Sequence, residues 1–370
     1  MTKQAPHPEP RRLGILGTGN IFGRYVEGLA RYPELTVVRV GDIDTIRAEK
    51  SAAEYGIAAW GDDNDLYGDD NIEIIINLTP PAHHAPTTFA ALAAGKHVYV
   101  EKPLATTLVD GTAVLAAARD SGLLLGSAPD TFLGSAAQTA RHAIDHGLIG
   151  EPIGCSGFVR SSRVETWHPD PRPFFAEGGG PVLDMGPYYV ASLVNCLGPV
   201  ATVAAATRIG APRREVTSPG RVVDHVNVAV ATHASATLTF ASGAIGTLLM
   251  SFDIWDTDLP RMEIYGTEGT LSMANPNTFD GDVRVKRHAD DEWHVLAPVV
   301  ELFGALNSPE QFRRGLGVRD LAGALDGEPH RTNPQFALHT LDVLTGIDTA
   351  SRESRVVPLS TSCERPAPRS

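Results

Sequence analysis

An α/β fold with a parallel sheet is the class this chain predicts, and three observations carry the prediction. From Leu13 to Gly126 short apolar runs alternate with amphipathic stretches. A glycine turn, Gly17-Thr18-Gly19, joins the first run directly to the first amphipathic stretch. Ile72–Asn77 is a near-continuous apolar run, the pattern of a strand buried on both faces.

Length and composition set the frame. With 370 residues, 42% hydrophobic and 20% charged, the chain has enough apolar material for two cored domains. A formal net charge of −13 argues against nucleic acid or an anionic membrane as partner and for a cytoplasmic protein. Cys155, Cys196 and Cys363 are far apart and match no metal spacing, so they are expected reduced and no metal is expected. The first twelve residues, rich in proline and arginine and without an apolar segment, read as a flexible arm and not as a signal peptide. Two charge-free stretches, Met185–Thr207 and Val226–Phe252, raise the question of a membrane span. The first is interrupted by Pro187, Gly198 and Pro199, and the second alternates Ser/Thr with apolar residues as strands do.

Leu13–Leu16 reads as the first strand, and Ile21 to Arg31 as the first helix. So tight a turn uses the φ freedom of glycine. Gly19, lacking a side chain, lets a pyrophosphate approach main-chain N–H groups at the helix N-terminus, where the dipole favours an anion. Gly17, Thr18, Gly19, Asn20 and Ile21 are therefore candidate cofactor contacts. The spacing departs from G-x-G-x-x-G, because Phe22 holds the sixth position and Gly23 comes one later.

The second strand, Leu35–Val40, ends in Gly41-Asp42. Asp42 follows the turn at about the spacing (roughly 20 residues) at which an acid accepts the adenosine ribose hydroxyls and repels a 2′-phosphate. Ile43 stands where an NADP site would use arginine, so NAD is favoured over NADP, although Arg47 on the next helix is in reach of a phosphate. A helix N-cap before Thr45–Tyr55 is a compatible second reading of Asp42.

A turn-rich segment, Gly61–Asp70, leads to the Ile72–Asn77 strand, which Thr79-Pro80-Pro81 ends. A helix from Ala85 to Ala94 stops at Gly95, and His97–Val100 makes the next strand. That strand runs into Glu101-Lys102-Pro103. Ligands bind at the carboxyl ends of strands in parallel sheets, so this charged pair is expected to face a pocket; a solvated strand end is the plain alternative. Helix Leu108–Asp120 and strand Leu123–Gly126 complete a Rossmann-type domain over residues 13–128.

The runs Thr79-Pro80-Pro81-Ala82-His83-His84 and Gly95-Lys96-His97-Val98-Tyr99-Val100-Glu101-Lys102-Pro103-Leu104 closely resemble the signature of the Gfo/Idh/MocA oxidoreductases, the glucose-fructose oxidoreductase and inositol dehydrogenase type. Gly178-Gly179-Gly180 through Asp184 to Tyr188 resembles the family's glycine-led D-x-G-x-H segment, and Tyr265-Gly266-Thr267-Glu268-Gly269 extends the likeness. The resemblance implies a C-terminal α+β domain on a large, open, mainly antiparallel sheet over 129–360. In the family that sheet commonly makes the oligomer interface, so a homodimer or homotetramer is expected. It adds Thr79, Pro80, His84, Glu101 and Lys102 to the candidate cofactor contacts and implies Lys102, Asp184 and Tyr188 as the catalytic set. The Tyr188 position is usually His in the family, with Tyr in some members. A Lys102-Pro103 cis bond is also implied.

In the second domain a helix is expected over Thr131–Gly147 and a strand up to Val159. Trp167, His168, Phe174 and Phe175 are bounded by Pro169, Pro171 and Pro173, a rigid mounting for rings that suits either a sugar-stacking wall or an interface plug. A helix opened by Gly178–Gly180 and running to Leu197 puts Asp184 and Tyr188 at i and i+4, on one face. Trp167, His168, Asp184, Tyr188 and Tyr189 are the expected substrate-facing residues. His225–Trp255 reads as an antiparallel meander, Pro212–Arg221 as a loop, and helices after Pro309 and from Pro334 to Ser351 as cover for one sheet face. The tail 361–370 reads as flexible.

Together these features describe an enzyme that moves a hydride between NAD and a secondary alcohol or ketone of a sugar, polyol or related cyclic substrate. Lys102 would donate a hydrogen bond to the reacting oxygen, and Asp184 would orient Lys102 or the substrate hydroxyl. Tyr188 would move the proton, because a nearby ammonium favours the charged form of a phenol. Two alternatives remain open: an NAD-retaining lyase or glycosidase working through transient oxidation, and a non-catalytic dinucleotide-binding regulator.

Overall fold

The computed structural model describes residues 9–160, 163–300 and 313–369. Two compact units divide the chain. The first takes in the chain up to Leu104, Thr112–Asp130 and Arg313–Pro334; the second takes in Ala105–Gly111, the stretch from Thr131, and the chain from Gln335 onward. Residues 313–334, expected from the sequence in the second domain, thus cluster with the first unit.

The first unit is built on β1 (Arg11–Leu16), α1 (Phe22–Leu29), β2 (Leu35–Gly41), α2 (Thr45–Tyr55), β3 (Ala59–Gly61), α3 (Asp63–Tyr67), β4 (Ile74–Asn77), α4 (His84–Ala93), β5 (His97–Val100), α5 (Leu108–Ser121) and β6 (Leu125–Ser127). Its six strands pair in the order β3-β2-β1-β4-β5-β6, all parallel. All four residues of β4 are buried, as its apolar run requires. β1 begins two residues inside the expected arm, because Arg11 pairs with Glu73 at 2.8 Å and its N–H donates to Glu34. Residues 1–8 of that arm lie outside the described residues. Asp44, and not Asp42, caps α2, accepting the Arg47 N–H at 3.2 Å, and Gly56 ends it in the left-handed conformation. The turn-rich segment Gly61–Asp70 contains α3, and β3, not expected from the sequence, ends on its first residue. β3 is a three-residue edge strand with an exposed Trp60, too short to show a period, and α3 is opened by an Asp62/Asp65 capping box. The Lys102-Pro103 peptide is cis.

The second unit contains α6 (Ser135–Asp145), β7 (Pro152–Arg160), α7 (Arg172–Phe175), α8 (Gly180–Leu197), β8 (Val200–Arg208), β9 (Arg213–Glu215), β10 (His225–Asn227), β11 (His233–Phe240), β12 (Ile245–Ser251), β13 (Met262–Gly266), β14 (Gly269–Ser272), β15 (Arg284–Arg287) and β16 (His294–Val295). Helix α9 (Leu316–Leu325) belongs to the first unit; α10 (Pro334–Glu353) and β17 (Val357–Pro358) complete the second. Nine strands form one sheet in the order β16-β15-β14-β13-β7-β12-β11-β8-β17. Among the described residues of this sheet, only the β7–β12 pair is parallel. Burial alternates along β11, so one face is covered while Ser235 and Thr237 stay exposed on the other. Helix α8 lies on the covered face, with Tyr189 against Gly157 of β7 and Gly186 against Met250 of β12.

Several expectations for this unit are corrected. The helix after Pro309 does not cover this sheet: α9 packs on β5, β6 and α1 of the first unit, and Pro309 itself lies outside the described residues. The expected meander is narrower, because β10 pairs with β9, inside the expected loop, as a separate two-stranded ribbon. The tail is docked through residue 369. Asp342 accepts hydrogen bonds from Thr361 N and Oγ1, Arg365 reaches Asp145 at 2.6 Å, and Arg369 N donates to Gln138. Its polar composition is matched by specific acceptors, which composition alone does not reveal. Cys155 and Cys196 are buried free thiols whose pKa burial pushes up to about 12. Among the described residues no helix is long and apolar enough to cross a membrane, and no cluster of side chains has the makings of a metal site.

Candidate active site

The glycine turn between β1 and α1 has the form an anion cradle needs. Gly17 has φ +99°, and a Cβ there would stand 2.8 Å from the Leu78 carbonyl group, so backbone approach fixes this glycine. Nothing lies within 4 Å of the place a Cβ on Gly19 would take. Ile21 provides no side-chain cap, and the first turn of α1 holds no acidic residue. An anion at the N-terminus of α1 would therefore meet neither a capping side chain nor an acidic residue of the helix's first turn. Gly23, out of step with the usual spacing, sits tightly under the Tyr55 hydroxyl of α2, so this glycine serves contact between two helices.

Asp42, at the end of β2, is 3% exposed. Its Oδ2 accepts Thr18 N and Oγ1, both at 2.8 Å, and Arg47 Nε at 3.2 Å; its Oδ1 accepts Asp44 N at 2.9 Å and Arg47 Nη2 at 2.6 Å. Burial raises the carboxyl pKa, but the hydrogen bonds from Arg47, Thr18 and Asp44 outweigh it and hold the group below the usual carboxylate range. Ile43 is 97% exposed beside it.

Two further strand ends carry the remaining expected cofactor contacts. Asn77, at the end of β4, accepts Thr79 N and Oγ1 and donates to the His84 carbonyl and Thr88. His84 is buried, with its ring between the carbonyl oxygens of Pro103 (2.6 Å) and Thr79 (2.8 Å), whereas Pro80 is exposed. At the end of β5, Glu101 is buried: Tyr25 Oη of α1 donates to its Oε1 and Lys102 N to its Oε2, each at 2.8 Å. Burial and the neighbouring Glu101 push the Tyr25 pKa well up, which keeps this phenol a donor. Asn20 is exposed in the turn.

Asp184 and Tyr188 sit one turn apart on α8 in the second unit, Tyr188 7% exposed and Asp184 half-buried. Lys102 lies in the first unit. Gly180, with φ +83°, opens the helix where a Cβ would stand 2.9 Å from the Ala231 carbonyl oxygen. Tyr189, expected to face substrate, is instead a core residue: it is 1% exposed and its hydroxyl donates to the Phe158 carbonyl. Trp167, His168 and Phe174 form an edge-to-face group, with ring centroids 5.0 to 6.1 Å apart. Trp167 is 53% exposed, while Phe175 beneath is fully buried on Phe252.

A family model described as an oxidoreductase family with an NAD-binding Rossmann fold matches residues 11–128, and one described as a GFO/IDH/MocA C-terminal domain matches residues 137–272. The chain belongs to the Gfo/Idh/MocA oxidoreductase family. A relative from Streptomyces antibioticus, dTDP-3,4-didehydro-2,6-dideoxy-alpha-D-glucose 3-reductase, is 33% identical over 275 residues, which cover 72% of this chain and 76% of the relative. A second, scyllo-inositol 2-dehydrogenase (NAD(+)) of Bacillus subtilis (strain 168), is 28% identical over 268 residues, 70% of this chain and 72% of the relative. Among solved structures, levoglucosan dehydrogenase in complex with NADH and levoglucosan superposes with a TM-score of 0.83 over 95% of this chain and 100% of that one. At 19% identity that likeness is one of fold.

The Gfo/Idh/MocA assignment makes this chain an oxidoreductase of the sugar and polyol dehydrogenase type, with an NAD-binding Rossmann unit. The relatives carry dehydrogenase and reductase names, which lend no support to the lyase, glycosidase or regulator alternatives. Three parts of the site had no signal in the sequence. Tyr25 is one apolar-face residue of an ordinary amphipathic helix, Asn77 ends a strand without a motif, and the hold of Arg47 on Asp42 depends on a side-chain rotamer.

Proposed function

We propose that this chain is an NAD-dependent dehydrogenase acting on a secondary alcohol of a sugar, polyol or related cyclic substrate, with NADP the weaker cofactor. The observation that carries this reading is the Glu101 network. One carboxylate binds the helix of the glycine cradle through Tyr25 and the main chain of Lys102, so the cradle and the lysine share one rigid connection. Gly19 and the N-terminus of α1 would hold the pyrophosphate and Asp42 the adenosine ribose, while the expected contacts Gly17 and Thr18 spend their donors on Gly41 and Asp42 and shape the turn. When bound, the cofactor supplies the hydride acceptor or donor. Lys102 then holds the reacting oxygen by a charge-assisted hydrogen bond, Tyr188 carries the proton, and Asp184 orients the hydroxyl. The exposed ring of Trp167, with the half-buried His168 ring edge-on beside it, suits the apolar face of a sugar. The uncovered face of the nine-stranded sheet, with Ser235, Thr237, Ile245 and Thr247 exposed, supports a homodimer or homotetramer through that face.

The test is turnover of NAD with a panel of sugars and polyols by the wild type and Tyr188→Phe. Positioned proton transfer is worth roughly 10² to 10⁴ in rate, so Tyr188→Phe should lower kcat by about that much with NADH affinity unchanged. Unchanged turnover in Tyr188→Phe removes the proton role from this residue. Tight NADH binding without reduction of any oxidised sugar sinks the dehydrogenase reading.

A further inference from the structure

We propose that Arg47 sets the cofactor preference of this chain, by closing over Asp42 until a dinucleotide ribose displaces it and by standing ready for a 2′-phosphate. The inference rests on the reading above that the glycine cradle and Asp42 hold the adenosine end of a nicotinamide dinucleotide.

The capacity of one carboxylate is limited. Its two oxygens offer about four acceptor positions, and five donor contacts already reach Asp42: Thr18 N, Thr18 Oγ1, Asp44 N, Arg47 Nε and Arg47 Nη2. A ribose diol brings two more hydroxyl donors, so some present donor must leave. Thr18 N and Asp44 N are main-chain groups fixed by the turn and the strand end, and Thr18 is 7% exposed. The Arg47 side chain is 50% exposed, against 4% for that of Asp42. Arg47 is the donor that can swing into water at least cost, and it vacates both oxygens at once.

The two cofactors then use this pair in opposite ways. A free 2′-hydroxyl gains from Asp42 and requires the Arg47–Asp42 ion pair to break. A 2′-phosphate has no hydrogen to give Asp42 and is repelled by it, but it offers acceptor oxygens to the forked guanidinium beside it. Ile43 supplies no cation there. Arg47 therefore weakens NAD(H), strengthens NADP(H) and narrows the preference that Asp42 alone would impose.

The experiment is equilibrium binding of NADH and of NADPH to the full chain without substrate, read from nicotinamide fluorescence at two salt concentrations, for wild type, Arg47→Ala, Arg47→Gln and Asp42→Asn. In Arg47→Ala the ratio Kd(NADPH)/Kd(NADH) should rise about tenfold or more, the scale of one charge-assisted hydrogen bond that the 2′-phosphate alone makes. NADH should bind at least as tightly as to wild type, and the steeper salt dependence of NADPH should disappear. Asp42→Asn should lower the ratio. Arg47→Gln, which keeps a hydrogen-bonding side chain without the charge, should behave as Arg47→Ala. A ratio within twofold of wild type in both Arg47 variants overturns the proposal, as does equal weakening of both cofactors, which would make Arg47 a support of the loop. If wild type binds neither dinucleotide, the cofactor reading itself fails, and that result differs from every outcome that turns on Arg47.

Discussion

At the scale of single residues, Glu101 is the group on which most depends. It is buried, and each carboxylate oxygen has one named donor, Tyr25 Oη and Lys102 N. Tyr25→Phe removes one donor and leaves a buried carboxylate oxygen short of a partner, a loss of about 1–3 kcal/mol. Because the remaining partner is the main chain of Lys102, the effect should reach chemistry too. We expect kcat to fall several-fold while the KM for the sugar stays near wild type, measured beside the thermal midpoint. Equal loss in Tyr25→Phe and in a core control of the same destabilisation would reduce Tyr25 to a packing role. The sequence announces Lys102 through its motif and says nothing of Tyr25, since no local pattern marks which phenol of a helix meets a strand end 76 residues later.

At the scale of elements, legibility followed length and period. β4, β5, α2 and α8 stand within two residues of their expected bounds because each has a run of the right period between strong breakers. β3 and β9 have three residues each and were not legible, since such strands are held by partners and not by pattern. α9 was legible as a helix but not as part of the first unit: an apolar face does not name the surface it covers. The glycines before α8 were legible as a helix start, and the structure adds why Gly180 is needed. It has φ +83° and stands tight against the Ala231 carbonyl. Gly180→Ala should cost about 1–3 kcal/mol through the strained backbone, seen as a lower thermal midpoint, and should depress kcat through displacement of Asp184 and Tyr188. An unchanged midpoint would show that the opening of α8 relaxes without cost.

At the scale of the whole molecule, each unit carries a histidine that must stay neutral. His97 Nδ1 accepts Leu124 N at 2.9 Å in the first unit, and His339 Nε2 accepts Val200 N at 2.9 Å in the second. A protonated ring would lose those acceptors, and burial is the largest cause of a lowered pKa at both. The unfolded chain takes up protons near pH 6.5 while the folded rings resist, so stability is full above that pH and falls as pH drops through the window beneath it. For His339, fully buried, the slope is up to about 1.4 kcal/mol per pH unit until the folded ring also titrates. Thermal midpoints at pH 7.5 and 5.5 should therefore differ, and His339→Gln should flatten the difference. An identical pH dependence in that variant would assign the acid sensitivity to other groups.

The return of residues 313–334 to the first unit bears on how the molecule is made. Asp130 accepts Gly315 N and Gly317 N, Ser127 N donates to the Thr332 carbonyl, and α9 lies on β5 and β6. A ribosome releases the chain from its N-terminus, and domains generally fold as units as they emerge. The sheet edge at β6 waits for its covering helix until nearly all of the second unit has been synthesised. The half of the molecule that begins first, and that carries the cofactor cradle, is therefore finished almost last, and a nascent chain stopped before Arg313 leaves that edge open.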